Sequence, residues 1–409
     1  MCFPSVVHTY RQMTAASPLS AAASAPGLAS NGLVPPGSLL GSSSFLLNEF
    51  SAKGPIFSVA ITKLMMFVGY HNGIIGGFPL AITQAPGASG DSGPLIDTNV
   101  VAEEGEGSAA PTLEMAAHSG VVRQLTVHDA TQRLYSCSSD GSIKSWSIPE
   151  CAWVMSFEAV GGTPVHCFVL DAKGSTLYSG DEAGAVTMWN AETGVATQTM
   201  RCHYGAIHAL QIPTMPPPPK PVEGEAIVEE EQEPPPRPNC LLTASSDGQI
   251  KLIEPSTKLV HVLMKADVPV CCILYAHPNV IAGCSDGTIR GFNIHSAAPT
   301  MIYRGHTDGV NQVLVIRKRL VSVSDDTTIG IWNPRTWNRE LSLKGHDRCV
   351  SSAIIAPSER ELLTAGFDGI VRTWNVAAVM EHLTATGETV AASPKKKKKP
   401  EGKASKKKK

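Results

Sequence analysis

The chain has 409 residues, 43% of them apolar, and a formal net charge of −2. That apolar share suffices for a large buried core. No apolar run approaches the roughly 20 residues that cross a bilayer, so a soluble protein is expected. The balanced charge conceals an uneven distribution: ten of the 34 basic residues, but only one of the 36 acidic residues, lie in 395–409. The remainder is therefore acidic, about −11, and carries a basic tail.

Ten cysteines occur, at 2, 137, 151, 167, 202, 240, 271, 272, 284 and 349. No C-x-x-C pair and no zinc-finger spacing is present. Most sit in apolar strand-like runs, where a free thiol behaves as a small hydrophobe. Reduced thiols in an intracellular protein are the expectation.

In chain order, residues 1–42 are rich in Ser, Ala, Pro and Gly and are expected to form a disordered leader. No acid precedes Glu49, which suits a mitochondrial presequence as the alternative, but Arg11 is the one basic residue there and such presequences are Arg-rich. Seven related units follow. Unit one spans Gly54–Phe78, unit two His118–Ser147, unit three Glu158–Asn190, unit four His203–Glu254 and unit five Ala266–Asn293. Units six and seven fill Arg304–Val376 and are the same pattern written twice: RGHTDGVNQVLVIRKRLVSVSDDTTIGIWN, then KGHDRCVSSAIIAPSERELLTAGFDGIVRTWNV. Each unit alternates short apolar runs with Asp-Gly, Ala-Gly or Asn-Gly turns, the signature of strands joined in tight hairpins. Trp332 and Trp374 stand 42 residues apart. A period of about 40–45 residues with Gly-His and Trp-Asp-like ends predicts a four-stranded propeller blade. The expected fold is all-β: a single seven-bladed β-propeller over 43–385, whose closed ring removes exposed sheet edges.

Two insertions, 81–110 and 213–238, are acidic and rich in Gly or Pro, and are expected to be unstructured loops on one face. The second could also serve as a Pro-rich docking peptide. After unit seven, AAVMEHLTAT reads as helix, so the last blade lacks an outer strand of its own. Residues 43–50, in SSFLLNEFSAKG, are expected to supply it and close the ring. The segment 386–409 is expected to be a disordered Lys-rich tail.

These residues resemble the WD40 repeat family over about residues 45–380. The resemblance implies a hydrogen-bonded network of His, Ser or Thr, Asp and Trp within each blade. By position it falls on His118, Ser136, Asp140 and Trp146 in unit two, His306, Ser322, Asp326 and Trp332 in unit six, and His346, Thr364, Asp368 and Trp374 in unit seven. Other units depart: Ile253 and Phe292 stand at the Trp position, Ala282 at Ser and Ala183 at Asp. The piece LYSCSSDGSIKSWSIPEC is loosely similar to the propeller of plant zinc-finger WD-repeat proteins, without their CCCH finger.

No Walker-type G-x-x-x-x-G-K-[ST], no G-x-S-x-G and no H-E-x-x-H occurs. His, Ser and Asp recur once per blade, which favours a structural network over a hydrolase triad. No cofactor, metal or catalytic residue is expected, and the chain is read as a non-enzymatic scaffold. The resemblance places protein partners at the channel mouth. Candidates there are Phe57, Arg123, His166, His208, Asn311, Asp325, Arg348 and Phe367, with Cys271 and Ser351 at equivalent positions. The expected setting is a multi-subunit ribonucleoprotein or nuclear complex, cytoplasmic or nuclear, including the nucleolus, with a monomeric propeller. The tail 395–409 would add non-specific RNA or ribosomal contact. A ubiquitin-ligase substrate-recognition subunit and a mitochondrial assembly factor are the alternatives.

Overall fold

The computed structural model describes residues 44–52, 54–83, 95–97, 111–213 and 240–391. Seven four-stranded antiparallel sheets are arranged as the blades of a propeller. In each, an inner strand is followed outwards by two more and an outer strand. The inner strands are Ile56–Ile61, Val122–His128, Val165–Leu170, Ile207–Gln211, Val270–Ala276, Val310–Ile316 and Val350–Ile355, for blades one to seven.

Blades one to six take their four strands in chain order, from inner to outer. Blade seven does not. Its outer strand is Leu46–Ser51, which pairs antiparallel with Ile370–Asn375. Phe50 packs against Phe78 of blade one, and Phe45 enters the cluster between blades six and seven. Arg372 ties the join: its guanidinium lies 2.8 Å from Asp368 and 3.4 Å from Glu49. After Asn375 the chain turns into a helix, Val376–Ala391, with the Asn375 side chain accepting from the Ala378 amide. Val376, Val379 and Leu383 pack onto the same cluster as Phe45.

Hydrophobic burial follows the strand period. Seven apolar clusters lie between neighbouring blades, one at each junction. Trp332, Trp374, Phe78 and Phe292 are almost fully buried within them. Truncating such a ring costs about 3–5 kcal/mol.

Two expectations need correction. Within the insertion 81–110, Ala81–Thr83 pairs with Leu95–Asp97 as a short ribbon, so that stretch is not wholly unstructured. The helix also runs to Ala391, past the expected start of the tail at 386, because the helix-forming residues of 377–386 carry the pattern onward. The leader 1–42, most of both insertions and residues 392–409 lie outside the described residues.

The turn between the second and third strands requires a left-handed residue. Gly248 has φ +76°, and a Cβ there would clash with the Ala266 carbonyl oxygen. Blade six places Thr327 in this position at φ +69°, an unfavourable conformation for a β-branched residue. Thr327→Gly is therefore expected to stabilise the propeller by up to about 1 kcal/mol in urea unfolding. Deleting residues 1–52 removes the closing strand and is expected to lower the melting temperature sharply. Deleting 1–38 is expected to leave it unchanged. Scanning calorimetry of both truncations checks this.

Candidate functional site

The blade network is a buried chain of hydrogen bonds. In blade six, Trp332 Nε1–H donates to Ser322 Oγ at 2.7 Å. The Ser322 hydroxyl is 2.7 Å from His306 Nε2, and His306 Nδ1 is 2.8 Å from Asp326. Direction follows from chemistry: indole to hydroxyl, hydroxyl to imidazole, imidazole N–H to carboxylate. Blade seven runs Trp374, Thr364, His346, Asp368, and blade two Trp146, Ser136, His118, Asp140, at 2.8–3.1 Å throughout. Blade four keeps His203, Thr243 and Asp247 without the indole. The sequence reading missed a further hydroxyl: Thr328 donates to Asp326 at 2.7 Å and Ser142 to Asp140 at 2.7 Å.

The carboxylates respond. Burial pushes the Asp368 carboxyl up, but the His346 hydrogen bond and the Arg372 guanidinium outweigh it and hold it at about 2. Against the same burial, Asp140 is lowered by hydrogen bonds from His118 and Ser142, and Asp326 by those from His306 and Thr328. These networks are enclosed within the blades, so they brace the site without forming part of it.

The candidate partner residues share one structural feature. Every inner strand carries a register shift between its first and third residues. The residue between is Phe57, Arg123, His166, His208, Cys271, Asn311 or Ser351. A bulge of this kind re-aims its side chain, and these seven side chains occupy one equivalent position in each blade. Phe57 of blade one stacks at 4.5 Å, tilted by 43°, on Phe367 from the turn of blade seven. The Arg123 guanidinium of blade two lies 5.6 Å from the Phe57 ring centre. His166 of blade three meets His208 of blade four edge-on at 5.4 Å. Burial, then the charge of Arg123, holds these two imidazoles down to about 3 and about 4, so both are neutral at pH 7.

Blades five and six place polar residues here, and Glu182 of blade three stands at the position equivalent to Asp325. Asn311 donates to Asp325 at 2.7 Å and to the Val350 carbonyl at 2.9 Å. Burial raises the Asp325 carboxyl, with Asp308 and Asp326 adding to the effect and Asn311 opposing it. Burial likewise pushes the Cys271 thiol up to about 12. Arg348 stands exposed on the connection into blade seven, outside these contacts. Tyr204, 87% exposed on the connection into blade four, is a rim aromatic the sequence reading missed. Its only signal is a ring directly after the blade histidine.

The bulges also create a set of latches. Ser58, Cys167, Cys272, Asn311 and Ser351 each donate to the first-residue carbonyl of the next inner strand: Val122, Ile207, Val310, Val350 and Ile56. Gln124 grips Phe168 through both its amide groups, and Gln211 accepts from the Tyr275 amide. Every junction between blades is thus bridged near the channel by a side chain reaching for backbone.

Among the described residues, no group of three His, Cys, Asp or Glu is placed to hold a metal. No helix there is long and apolar enough to cross a membrane.

The repeat described as WD domain, G-beta repeat matches residues 110–147, 297–333 and 337–375. These are blades two, six and seven, the three with complete Trp-to-Asp networks. The chain carries WD40 repeats and folds as a seven-bladed β-propeller. It is similar to nuclear distribution protein PAC1 of Candida albicans, 31% identical over 110 residues, which is 24% of this chain and 22% of that protein. DDB1- and CUL4-associated factor 10 of Danio rerio is 40% identical over 76 residues, 18% of this chain and 15% of the relative. Striatin of Mus musculus is 21% identical over 293 residues, 65% of this chain and 36% of the relative. The chain therefore matches well under half the length of each. WD40 propellers typically act as protein-interaction scaffolds.

Asp368→Asn tests the brace. A carboxyl held near 2 in the folded chain, against about 3.9 unfolded, contributes stability that is full above about pH 4 and lost as pH falls towards 2. The variant is expected to lose about 2 kcal/mol at pH 7. It should also show a shallower loss of stability between pH 4 and 2 in urea titrations.

Proposed function

We propose that this propeller is a non-enzymatic scaffold that docks a protein partner on the mouth lined by the bulge residues. The observation that carries the reading is the convergence of Phe57, Phe367 and Arg123 from three different blades into one contact. Aromatic rings and arginine are the side chains that anchor interfaces. They stand here half-buried around a channel, where a ring need not be exposed for the fold's sake. The setting we assign is a ribonucleoprotein or nuclear complex, cytoplasmic or nuclear. The lysine run in 395–409 supports that setting as a salt-sensitive tether to anionic surfaces.

A second reading has its own support. One relative is named for association with DDB1 and CUL4. Its likeness favours a recognition subunit of a ubiquitin ligase, with the same mouth holding the substrate. The mitochondrial alternative rests on the leader alone.

Affinity purification of the tagged full chain separates these readings. Phe367→Ala combined with Asp325→Ala is expected to lose a common set of partners. Arg335→Ala, on a turn of the opposite face, is expected to keep them. Removal of 393–409 is expected to lose only partners that high salt also releases. Retention of every partner by the double variant would refute the docking surface, and recovery of ligase subunits would favour the second reading.

A further inference from the structure

Blade six ends in two basic turns. Ile316 pairs with Arg319 around one of them, and Leu320, Trp332 and Arg339 lie in one row across the second, third and outer strands. The turns at 317–318 and 333–338 therefore share the end of the blade opposite Asp325. Together with the strand residues beside them they carry Arg317, Lys318, Arg319, Arg335 and Arg339 against one carboxylate, Glu340. Both Glu340 oxygens are engaged, by Arg319 at 2.6 Å and by Asn333 at 2.7 Å. Arg339 is held by the Gly305 carbonyl at 2.8 Å. Arg317, Lys318 and Arg335 are exposed, with no side-chain partner among the described residues. Blade five adds His277 and His295 at the same end, with ring centres 6.2 Å apart. Carboxylates return at the borders: Glu254 on blade four, and Glu359, Glu361 and Glu381 on blade seven and its helix.

Three left-handed backbone positions in these turns carry large side chains. Arg317 has φ +43° and Lys318 φ +65°, in a two-residue hairpin turn of the kind Asn-Gly favours. Trp337 has φ +60°, and its amide donates to the Asn333 carbonyl. Gly194 of blade three and Ala297 of blade five make the same bond at φ +74° and +55°. A small residue therefore serves this turn, yet here it holds an indole that is 46% exposed. Strain accepted without a gain in packing points to a role at the surface.

We propose that this end of blades five and six binds single-stranded nucleic acid, with Arg317, Lys318 and Arg335 on its phosphates and a base stacked on Trp337. The site shares no residue with the docking surface at the mouth. Cations alone would fit any anion. The exposed indole among them selects unpaired bases, whose faces stack on a flat ring while their phosphates meet the cations. A duplex hides its base faces, and an acidic peptide would leave the indole idle. The tail 395–409 has no aromatic residue, so it reads phosphates but not bases.

Fluorescence anisotropy of the full chain with labelled strands of about 12 nucleotides tests this. The probes are uridine RNA, thymidine DNA and an abasic strand of equal charge. The tail contributes alike to all three, so the ratio of base-bearing to abasic affinity reports stacking. A base-bearing strand is expected to bind about tenfold tighter than the abasic one, and the tighter of RNA and DNA names the sugar. Trp337→Gly suits the backbone of its position, so it is expected to keep the melting temperature while reducing that ratio to about one. Trp337→Phe is expected to retain part of the ratio. Arg317→Gln with Lys318→Gln is expected to lower the slope of log K against log salt by about 1.4, at about 0.7 per phosphate contact. Lys173→Gln, on the corresponding turn of blade three, is expected to leave the slope unchanged.

Equal affinity for base-bearing and abasic strands overturns the proposal. So does a base preference that survives Trp337→Gly, or a salt slope that the double variant leaves unchanged. Competition by polyglutamate as effective as by RNA overturns it in favour of an acidic polypeptide. The Phe367→Ala and Asp325→Ala variant is expected to bind these strands as the unaltered chain does, so either surface can fail without the other.

Discussion

A ring of sheets must solve one problem that a stack does not: inner strands of neighbouring blades splay apart and cannot pair by backbone alone. In this chain the solution is local to the channel. Each inner strand starts with a bulge, and side chains from one blade reach the backbone that the bulge leaves free in the next. Three of the donors are hydroxyl or amide groups, and two are the thiols of Cys167 and Cys272. The apolar clusters supply most of the cohesion between blades, in proportion to buried area. The latches add direction, because a blade rotated out of register would strand both the donor and the carbonyl.

The same bulges carry the residues proposed to line the docking surface. A regular strand would alternate its side chains between the two faces of a blade, into the seams between neighbours. The extra residue breaks that alternation at one position and re-aims its side chain. Structural contacts therefore fall on residues proposed for docking: Asn311 bonds the Val350 carbonyl and Asp325, and Ser351 bonds the Ile56 carbonyl. The in-blade networks stand behind this lining. They are satisfied internally, down to the neutral hydroxyls, which suits a brace rather than a reacting group.

The repeat, the blade count and the need for a borrowed strand were legible because they depend on period. Period 2 survives within the strands, and intervals of 39–43 residues separate 146 from 189, 253 from 292, 292 from 332 and 332 from 374, even where Ile253 and Phe292 replace the aromatic donor, while the two insertions stretch the other intervals. The candidate lining was legible as positions, since the second residue of each inner strand can be counted. What it does there was not. No pattern announces that Phe57 meets Phe367 across the full length of the ring, because their partnership depends on closure by residues 310 positions apart in sequence. The thiol latches were hidden for a different reason: in a strand of valines and isoleucines, a donating cysteine is indistinguishable from a hydrophobic one. The short ribbon in the first insertion escaped because three-residue strands carry too little alternation to be seen.

Closure by Leu46–Ser51 has a mechanical consequence. Leu46 lies opposite Trp374 and Ser51 opposite Ile370, so the chain enters and leaves the pair at the same end. Tension applied between the flanking segments would not shear the strands along their length, with all the hydrogen bonds loaded together. It would peel them apart one rung at a time, from Trp374 towards Ile370. The ion pair between Glu49 and Arg372 sits midway along that path, as a catch the peeling must pass before the ring opens.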